Sequence, residues 1–112
     1  MIAEGKAAHA GAAHQDGANA IRSLARFVEF AELQTDYARG TTVNVGTIRG
    51  GTTPNTVPAS AEAELDLRFE HVADAHALLE TLRQAAEGLA LPGTALRLQG
   101  GVKRLPLERS AA

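Results

Sequence analysis

The chain has 112 residues, a size that fits one domain with a modest core. Its formal net charge of -2 disfavours a nucleic-acid partner, and no apolar run is long enough to cross a membrane. The absence of cysteine excludes disulfides and thiolate zinc sites. It leaves the compartment open; a cytoplasmic location is slightly favoured, with a periplasmic or secreted parent protein as the alternative.

The first third of the chain predicts a strand, a loop and a helix. Residues 1–8 alternate weakly and resemble a strand whose start has been cut away. Residues 9–17 (HAGAAHQDG) are rich in small and turn residues and predict a loop, with Asp16 as the expected N-cap of the next element. Residues 18–34 repeat apolar side chains at helical spacing, which predicts an amphipathic helix.

Two strands are predicted next. Residues 41–49 (TTVNVGTIR) are β-branched and alternating, and they predict the second strand. Residues 59–69 carry apolar side chains at odd positions and polar ones at even positions, which predicts a long, half-buried strand. If this strand extends back to Asn55, the 13 steps to Arg68 span about 40 Å, so the two side chains are expected at opposite ends of the sheet.

The remaining pattern completes a recognisable order. Residues 72–87 predict a second helix with Gly88 as its C-cap, and Leu96 and Leu98 mark a short last strand. The order of elements predicts an α+β, ferredoxin-like βαββαβ fold: a four-stranded antiparallel sheet in the order 4-1-3-2, with two helices on one face. This arrangement places residues 41–49 at a sheet edge, which invites pairing with a second copy.

The candidate site residues each have an ordinary structural interpretation. His9 fits a solvated loop histidine, and its spacing from His14, without a carboxylate, does not favour a metal site. Asn55 lies between two prolines and fits a turn former, while Arg68 fits an exposed ion pair with its acidic neighbours. No nucleophile motif, paired carboxylates or zinc motif is recognisable. Residue chemistry alone therefore indicates a non-catalytic domain.

Four motifs occur in the order and spacing of one known domain. They are GKAAHAG (Gly5 to Gly11), Gly17 with Asn19-Ala20 opening a helix, GGTTPNTVP (Gly50 to Pro58) and LDLR (Leu65 to Arg68). With them the chain resembles the dimerisation, or lid, domain of the co-catalytic zinc exopeptidases, a family that includes glutamate carboxypeptidase, aminoacylase and succinyl-diaminopimelate desuccinylase. The resemblance covers nearly the whole chain and is closest to glutamate carboxypeptidase.

The resemblance implies roles for three residues. His9 matches a histidine that enters the neighbouring subunit's active site and stabilises the oxyanion. Asn55 matches a substrate-contacting asparagine, and Arg68 matches an arginine that holds the substrate's free carboxylate. Because the predicted sheet brings His9 and Asn55 to one end and Arg68 to the other, we expect the first two to serve one active site of a dimer and Arg68 to serve the other.

The resemblance also implies a domain organisation. Residues 1–101 are expected to be a dimerisation and lid domain excised from a larger metallopeptidase, and residues 102–112 to lead back toward its catalytic domain. No metal ligand is expected in this chain, while two zinc ions are expected in the catalytic domain. We expect a homodimer formed through strand 41–49 and helix 18–34. The parent is expected to hydrolyse an amide bond beside a free carboxylate, and the isolated chain to be inactive.

Two alternative functions stay open from the sequence. A free-standing ferredoxin-like ligand-binding or regulatory module would also dimerise through a sheet edge, and zinc motifs flanking this segment in the parent reading frame would argue against it. An independent small enzyme would require hydrolysis by the purified chain.

Overall fold

The computed structural model describes residues 1–100, so the tail predicted for residues 102–112 lies outside the described residues. The strands are β1 (Ile2–Glu4), β2 (Ala8–His9), β3 (Thr42–Gly50), β4 (Thr56–Val57), β5 (Ser60–Arg68) and β6 (Ala95–Arg97). The helices are α1 (Ala20–Glu32) and α2 (Val72–Leu89). Short 3-10 turns, His14–Asp16 and Tyr37–Arg39, lie on either side of α1.

The main sheet has four strands in the order β3-β5-β1-β6, and every neighbouring pair is antiparallel. Read from the opposite edge, this is the predicted order 4-1-3-2. Helix α1 packs against all four strands, and α2 packs against α1 and β6. The predicted α+β, ferredoxin-like fold is therefore confirmed, and β3 is an edge strand.

Alanine accounts for nearly half of the core. Of the 15 buried residues that form the central cluster, seven are alanine, and only Phe27 and Phe69 are aromatic. Small side chains let α1 approach the sheet closely. Phe27 and Leu24 on α1 and Leu82 on α2 are the largest apolar side chains that are fully buried. The interior of the domain is therefore thin and rich in alanine.

The ladder between the first strand and the long strand is interrupted once. Each of the two was predicted as one continuous strand. In the structure, β1 pairs with β5 and, beyond a break, β2 pairs with β4. Between these two segments Gly5 N–H still donates to the Ala59 carbonyl at 2.8 Å, and Lys6 then turns aside to pair with Ala18. Across this break the first strand takes four steps, from Glu4 to Ala8, while the long strand takes three, from Ser60 to Val57. The register therefore shifts by one residue, and the two strands stay antiparallel on both sides of the break.

The start of α1 differs from the sequence prediction. Asn19, not Asp16, is the N-cap, because its side-chain oxygen accepts a hydrogen bond from Arg22 N–H at 2.9 Å. The helix begins at Ala20 rather than near Ala18, and Asp16 lies in the preceding 3-10 turn. Helix α1 cannot extend back through Ala18, because Ala18 pairs with β-type geometry against Lys6.

The end of α2 also differs from the prediction. Gly88 is not the C-cap; the helix continues through it to Leu89, and Ala90 leaves the helix with an extended backbone. Gly88 does not have the positive φ that a glycine cap adopts. Pro92 lies two residues beyond Ala90, where it prevents further helix. Neither helix of the part described is long and apolar enough to cross a membrane.

Strand β3 contains a β-bulge at Gly46. Val45 pairs with Leu65, but after a register shift Ile48 pairs with Ala63. Val45 and Ile48 are three residues apart, so in a regular strand without a bulge they would lie on opposite faces. The bulge therefore keeps Ile48 on the helix-covered face of the sheet, at its outer margin, where 52% of the residue is exposed.

Candidate functional site

His9 and Asn55 lie side by side at one end of the ladder. In the small β2–β4 sheet His9 is the antiparallel partner of Thr56. The next residue, Ala10, donates its N–H to the Asn55 carbonyl at 2.9 Å. The structure thus brings together His9 and Asn55, two of the three residues singled out from the sequence, at the paired ends of β2 and β4.

The backbone of the following turn holds the His9 imidazole. Its Nδ1 accepts hydrogen bonds from the N–H groups of Gly11, at 3.1 Å, and Ala12, at 3.0 Å. The His9 carbonyl also accepts from Ala13 N–H, which closes the turn. Because Nδ1 is an acceptor here, the neutral ring carries its proton on Nε2. His9 therefore presents a fixed N–H donor to its exposed surroundings.

Asn55 is oriented by its own turn. Thr53 Oγ1 donates to Asn55 Oδ1 at 2.7 Å and lies 3.1 Å from Thr56 Oγ1. The amide oxygen is therefore engaged, while the NH2 group has no hydrogen-bond partner among residues 1–100. The sequence analysis did not identify Thr53 as an orienting residue; the short spacing in Thr53-Pro54-Asn55 is the signal that could have indicated it.

Arg68 lies at the other end of β5, where its partner across the ladder is Thr42. Its Nε donates to Asp66 Oδ2 at 2.8 Å, on the sheet face away from the helices. This hydrogen bond, together with the charge of Asp66, raises the pKa of Arg68 above its ordinary value. The side chain is 69% exposed, and within the described chain only Nε is engaged. Both terminal nitrogens are thus available to a ligand.

The three residues do not converge within one copy. Thr56, the ladder partner of His9, precedes Arg68 by 12 residues of extended chain. At strand spacing this is about 40 Å. A small molecule that contacts His9 and Asn55 therefore cannot reach Arg68 of the same chain.

A shallow groove of about 400 Å³ adjoins the His9 end of the molecule. The loop at 50–58 forms one wall, and His14, Asn19 and Ile21 contribute to the other. The groove could not be predicted from the sequence, because its shape depends on how the two loops fold beside each other.

The described part of the chain does not provide a metal centre. Among residues 1–100 no three histidine, aspartate or glutamate side chains come together in a ligating arrangement. These residues do not fit either of the two zinc ions that the resemblance implies for the parent protein.

These features define an α+β domain with exposed hydrogen-bonding side chains at its two extremities. The chain belongs to the peptidase dimerisation domain family, which matches residues 1–94. The family resemblance inferred from the motifs is thereby confirmed. Membership in this family implies self-association.

Individual relatives agree with this assignment. The chain is 36% identical over 89 residues to a homolog of one chain of p-aminobenzoyl-glutamate hydrolase from Haemophilus influenzae, covering 79% of this chain and 21% of that protein. It is 34% identical over 88 residues to carboxypeptidase G2 from a Pseudomonas species, with the same two coverages. It is similar in structure to an aminobenzoyl-glutamate utilization protein from Klebsiella pneumoniae, with a TM-score of 0.77 and 31% identity over 89% of this chain and 26% of that one. The chain thus spans about one fifth of the length of these curated relatives.

Proposed function

We propose that this domain is the homodimerising, substrate-contacting lid of a zinc-dependent carboxypeptidase or amidohydrolase. The parent enzyme hydrolyses an amide bond beside a free carboxylate. Support comes from the family and from two relatives whose names describe an aminobenzoyl-glutamate hydrolase and a carboxypeptidase. In p-aminobenzoyl-glutamate the amide nitrogen is attached to the carbon that bears a free carboxylate, which is the bond type we assign to the parent.

The observation that carries the proposal is the separation of Arg68 from His9 and Asn55. One end of the ladder holds an imidazole and an amide, and the other holds a guanidinium. An amide substrate with a carboxylate needs both kinds of group within a few ångströms of each other. A dimer meets this requirement when His9 and Asn55 of one protomer lie beside the active site that Arg68 of the other protomer serves.

His9 acts as a hydrogen-bond donor in this proposal. The two N–H bonds to Nδ1 fix the proton of the neutral ring on Nε2, which faces away from the turn. When the amide carbonyl becomes tetrahedral, its oxygen gains negative charge, and a preorganised donor stabilises that charge. Loss of one such donor costs about 3 kcal/mol in the transition state.

Asn55 and Arg68 act in substrate binding. The engaged Oδ1 of Asn55 directs its NH2 group toward a substrate oxygen. The two terminal nitrogens of Arg68 form a fork that fits a carboxylate with two parallel hydrogen bonds, which a lysine cannot reproduce. Asp66 holds the guanidinium through Nε and leaves this fork unoccupied.

Dimerisation is assigned to strand 41–49 and helix 18–34. Strand β3 is a sheet edge, and Ile48 on it and Ile21 on α1 are exposed apolar side chains beside its second half. The zinc ions are assigned to the catalytic domain of the parent, since the described residues offer no ligand cluster. No step performed by this chain passes through the metals.

Mixed dimers of the full-length protein test the proposal. His9→Ala and Arg68→Ala are placed on different protomers, the two protomers carry different affinity tags, and the doubly tagged dimer is assayed with p-aminobenzoyl-glutamate. One active site of this dimer then keeps both groups, so we expect about half of the wild-type activity, whereas each variant homodimer is nearly inactive.

The reciprocal dimer provides the control. When both substitutions lie on one protomer opposite a wild-type protomer, each site lacks one group, and activity is expected to be nearly absent. High activity of this dimer, with an inactive first dimer, would contradict the sharing of sites between protomers. His76→Ala, which removes an exposed histidine of α2, is expected to leave the rate unchanged.

A further inference from the structure

The first half of the edge strand β3 is already capped by side chains of its own chain. Val43 N–H donates to Thr35 Oγ1 at 3.0 Å, and the same hydroxyl donates to the Val43 carbonyl at 3.3 Å. Val45 N–H donates to Glu32 Oε2 at 2.7 Å. These are the backbone groups that point away from β5, so this part of the edge has no free donor to offer another strand.

The second half of β3 is open. Gly51 N–H donates to the Ser60 carbonyl at 3.4 Å, which shows that Gly51 faces β5. By the alternation of an antiparallel ladder, Gly50 and Ile48 then face outward. Within residues 1–100 no side-chain group and no backbone group outside the ladder forms a hydrogen bond with the backbone of either one. The free edge is therefore short and follows the bulge at Gly46.

The side chains beside this free edge favour one symmetric register. In a two-fold antiparallel pair centred on Arg49, two arginines would lie directly opposite each other, which is unfavourable. Centring on Gly50 would place Ile48 opposite Thr52, a polar residue outside the strand. Centring on Ile48 places two half-exposed isoleucines against each other and puts Arg49 opposite Thr47. The last register buries apolar surface and separates the like charges.

We propose that two copies of the chain pair antiparallel through residues 46–50 alone, with Ile48 opposite Ile48 of the partner subunit. Glu32 and Thr35 are register-setting caps: they occupy the outward groups of Val45 and Val43 and so block a longer pairing. The proposal rests on the dimeric lid proposed above and specifies which residues form its contact.

Cysteine cross-linking tests this register. The chain contains no cysteine, so single cysteines can be introduced into the full-length protein once any cysteine outside residues 1–112 has been replaced by serine. Facing residues of an antiparallel pair have Cα atoms about 4.5–5.5 Å apart, within disulfide range. We expect Ile48→Cys to form a self-linked dimer on mild oxidation. Thr47→Cys is expected to link with Arg49→Cys when the two proteins are mixed, and neither is expected to link with itself.

Other outcomes distinguish a wrong register from the absence of a dimer. Self-linking of Arg49→Cys or Val45→Cys in place of Ile48→Cys would overturn the register while leaving a dimer intact. Sedimentation of the unlinked protein reports the dimer itself: a monomer at high concentration would refute the proposed function as well, because no site could then be shared.

A separate experiment tests whether Glu32 blocks a longer pairing of the edge strands. In the Val45→Cys protein we add Glu32→Ala, which frees Val45 N–H, and expect the self-linked fraction to rise several-fold. Glu32→Gln keeps an oxygen acceptor and is the matched control, with no rise expected. Equal linking in the Ala and Gln backgrounds would overturn the role of Glu32 in setting the register.

Discussion

Ser23 Oγ and Thr94 Oγ1 lie 2.7 Å apart and join α1 to the turn that leads into β6. Leu91 completes the network: its N–H donates to Ser23 Oγ at 3.0 Å, and its carbonyl accepts from the Thr94 hydroxyl at 2.6 Å. Since Thr94 donates to Leu91, the Ser23 hydroxyl is the donor to Thr94. Ser23 is fully buried, so this network satisfies its hydroxyl without water.

Ser23→Ala is expected to destabilise the domain. The substitution leaves Leu91 N–H without its partner in a half-buried position, which costs about 1 kcal/mol. Urea denaturation measures the change in the free energy of unfolding. Ser60→Ala makes the same chemical change at an exposed strand position and should alter it by less than about 0.5 kcal/mol. Equal losses at the two positions would show that the network contributes nothing.

Gly5 and Gly88 should respond oppositely to alanine. A Cβ on Gly5 would overlap the carbonyl oxygen of Ala18, so Gly5→Ala must displace backbone and is expected to lower stability by about 1–3 kcal/mol. A Cβ on Gly88 would meet no atom within 4 Å. Because Gly88 lies inside α2, Gly88→Ala is expected to raise stability by about 0.5–1 kcal/mol. Thermal unfolding of the two variants checks both signs.

Asn19→Ala should cost more than Asp16→Ala. Asn19 caps α1 through Arg22 N–H, and loss of an N-cap typically costs about 1 kcal/mol. Asp16 makes no side-chain cap of the helix, so its replacement should change the free energy of unfolding by less than about 0.5 kcal/mol. Chemical denaturation of both variants distinguishes them, and the reverse ranking would restore Asp16 as the cap.

Arg68→Lys in the full-length protein should weaken substrate binding. Lysine keeps the charge but loses the fork, so KM for a substrate with a free carboxylate is expected to rise by about tenfold or more. For the same substrate with its carboxylate converted to an amide, the change should be much smaller. Arg97→Lys, at an exposed arginine that pairs with Glu4, is the matched control. Equal effects on the two substrates would contradict carboxylate binding by Arg68.

The fold could be predicted because its main signals are periodic. Alternation across residues 59–69 and helical spacing across α1 and α2 reflect which side chains are buried, and these patterns alone determine the order of elements. The exact ends of the helices and strands depend on individual hydrogen bonds. Asp16 and Asn19 are both good capping residues, and only the pairing of Ala18 with Lys6 decides between them.

The bulge at Gly46 has a visible signal in the sequence. Val43 and Val45 are two residues apart, whereas Val45 and Ile48 are three apart, and the glycine lies between them. A regular strand would put Ile48 on the wrong face, so this spacing indicates an inserted residue. The prediction of a uniformly alternating strand over residues 41–49 overlooked it.

The candidate site could be predicted less well than the fold from residue types alone. His9 and Asn55 resemble ordinary loop residues, and their adjacency follows only from the sheet order. The bonds from Gly11 and Ala12 to Nδ1 of His9 involve main-chain groups, which any residue carries. No side-chain pattern can reveal them. The roles of the three residues came from the family resemblance and stay predictions until the variants are assayed.

The inserted residue at Gly46 makes the outer margin of the sheet tolerant of one particular deletion. Removing that glycine would turn the bulge into a regular ladder, with Thr47 still opposite Glu64 and Ile48 still opposite Ala63. Each downstream side chain would keep its face of the sheet. A homologue shortened by one residue here would therefore be expected to keep this assembly surface and to lose only the extra local twist that a bulge adds.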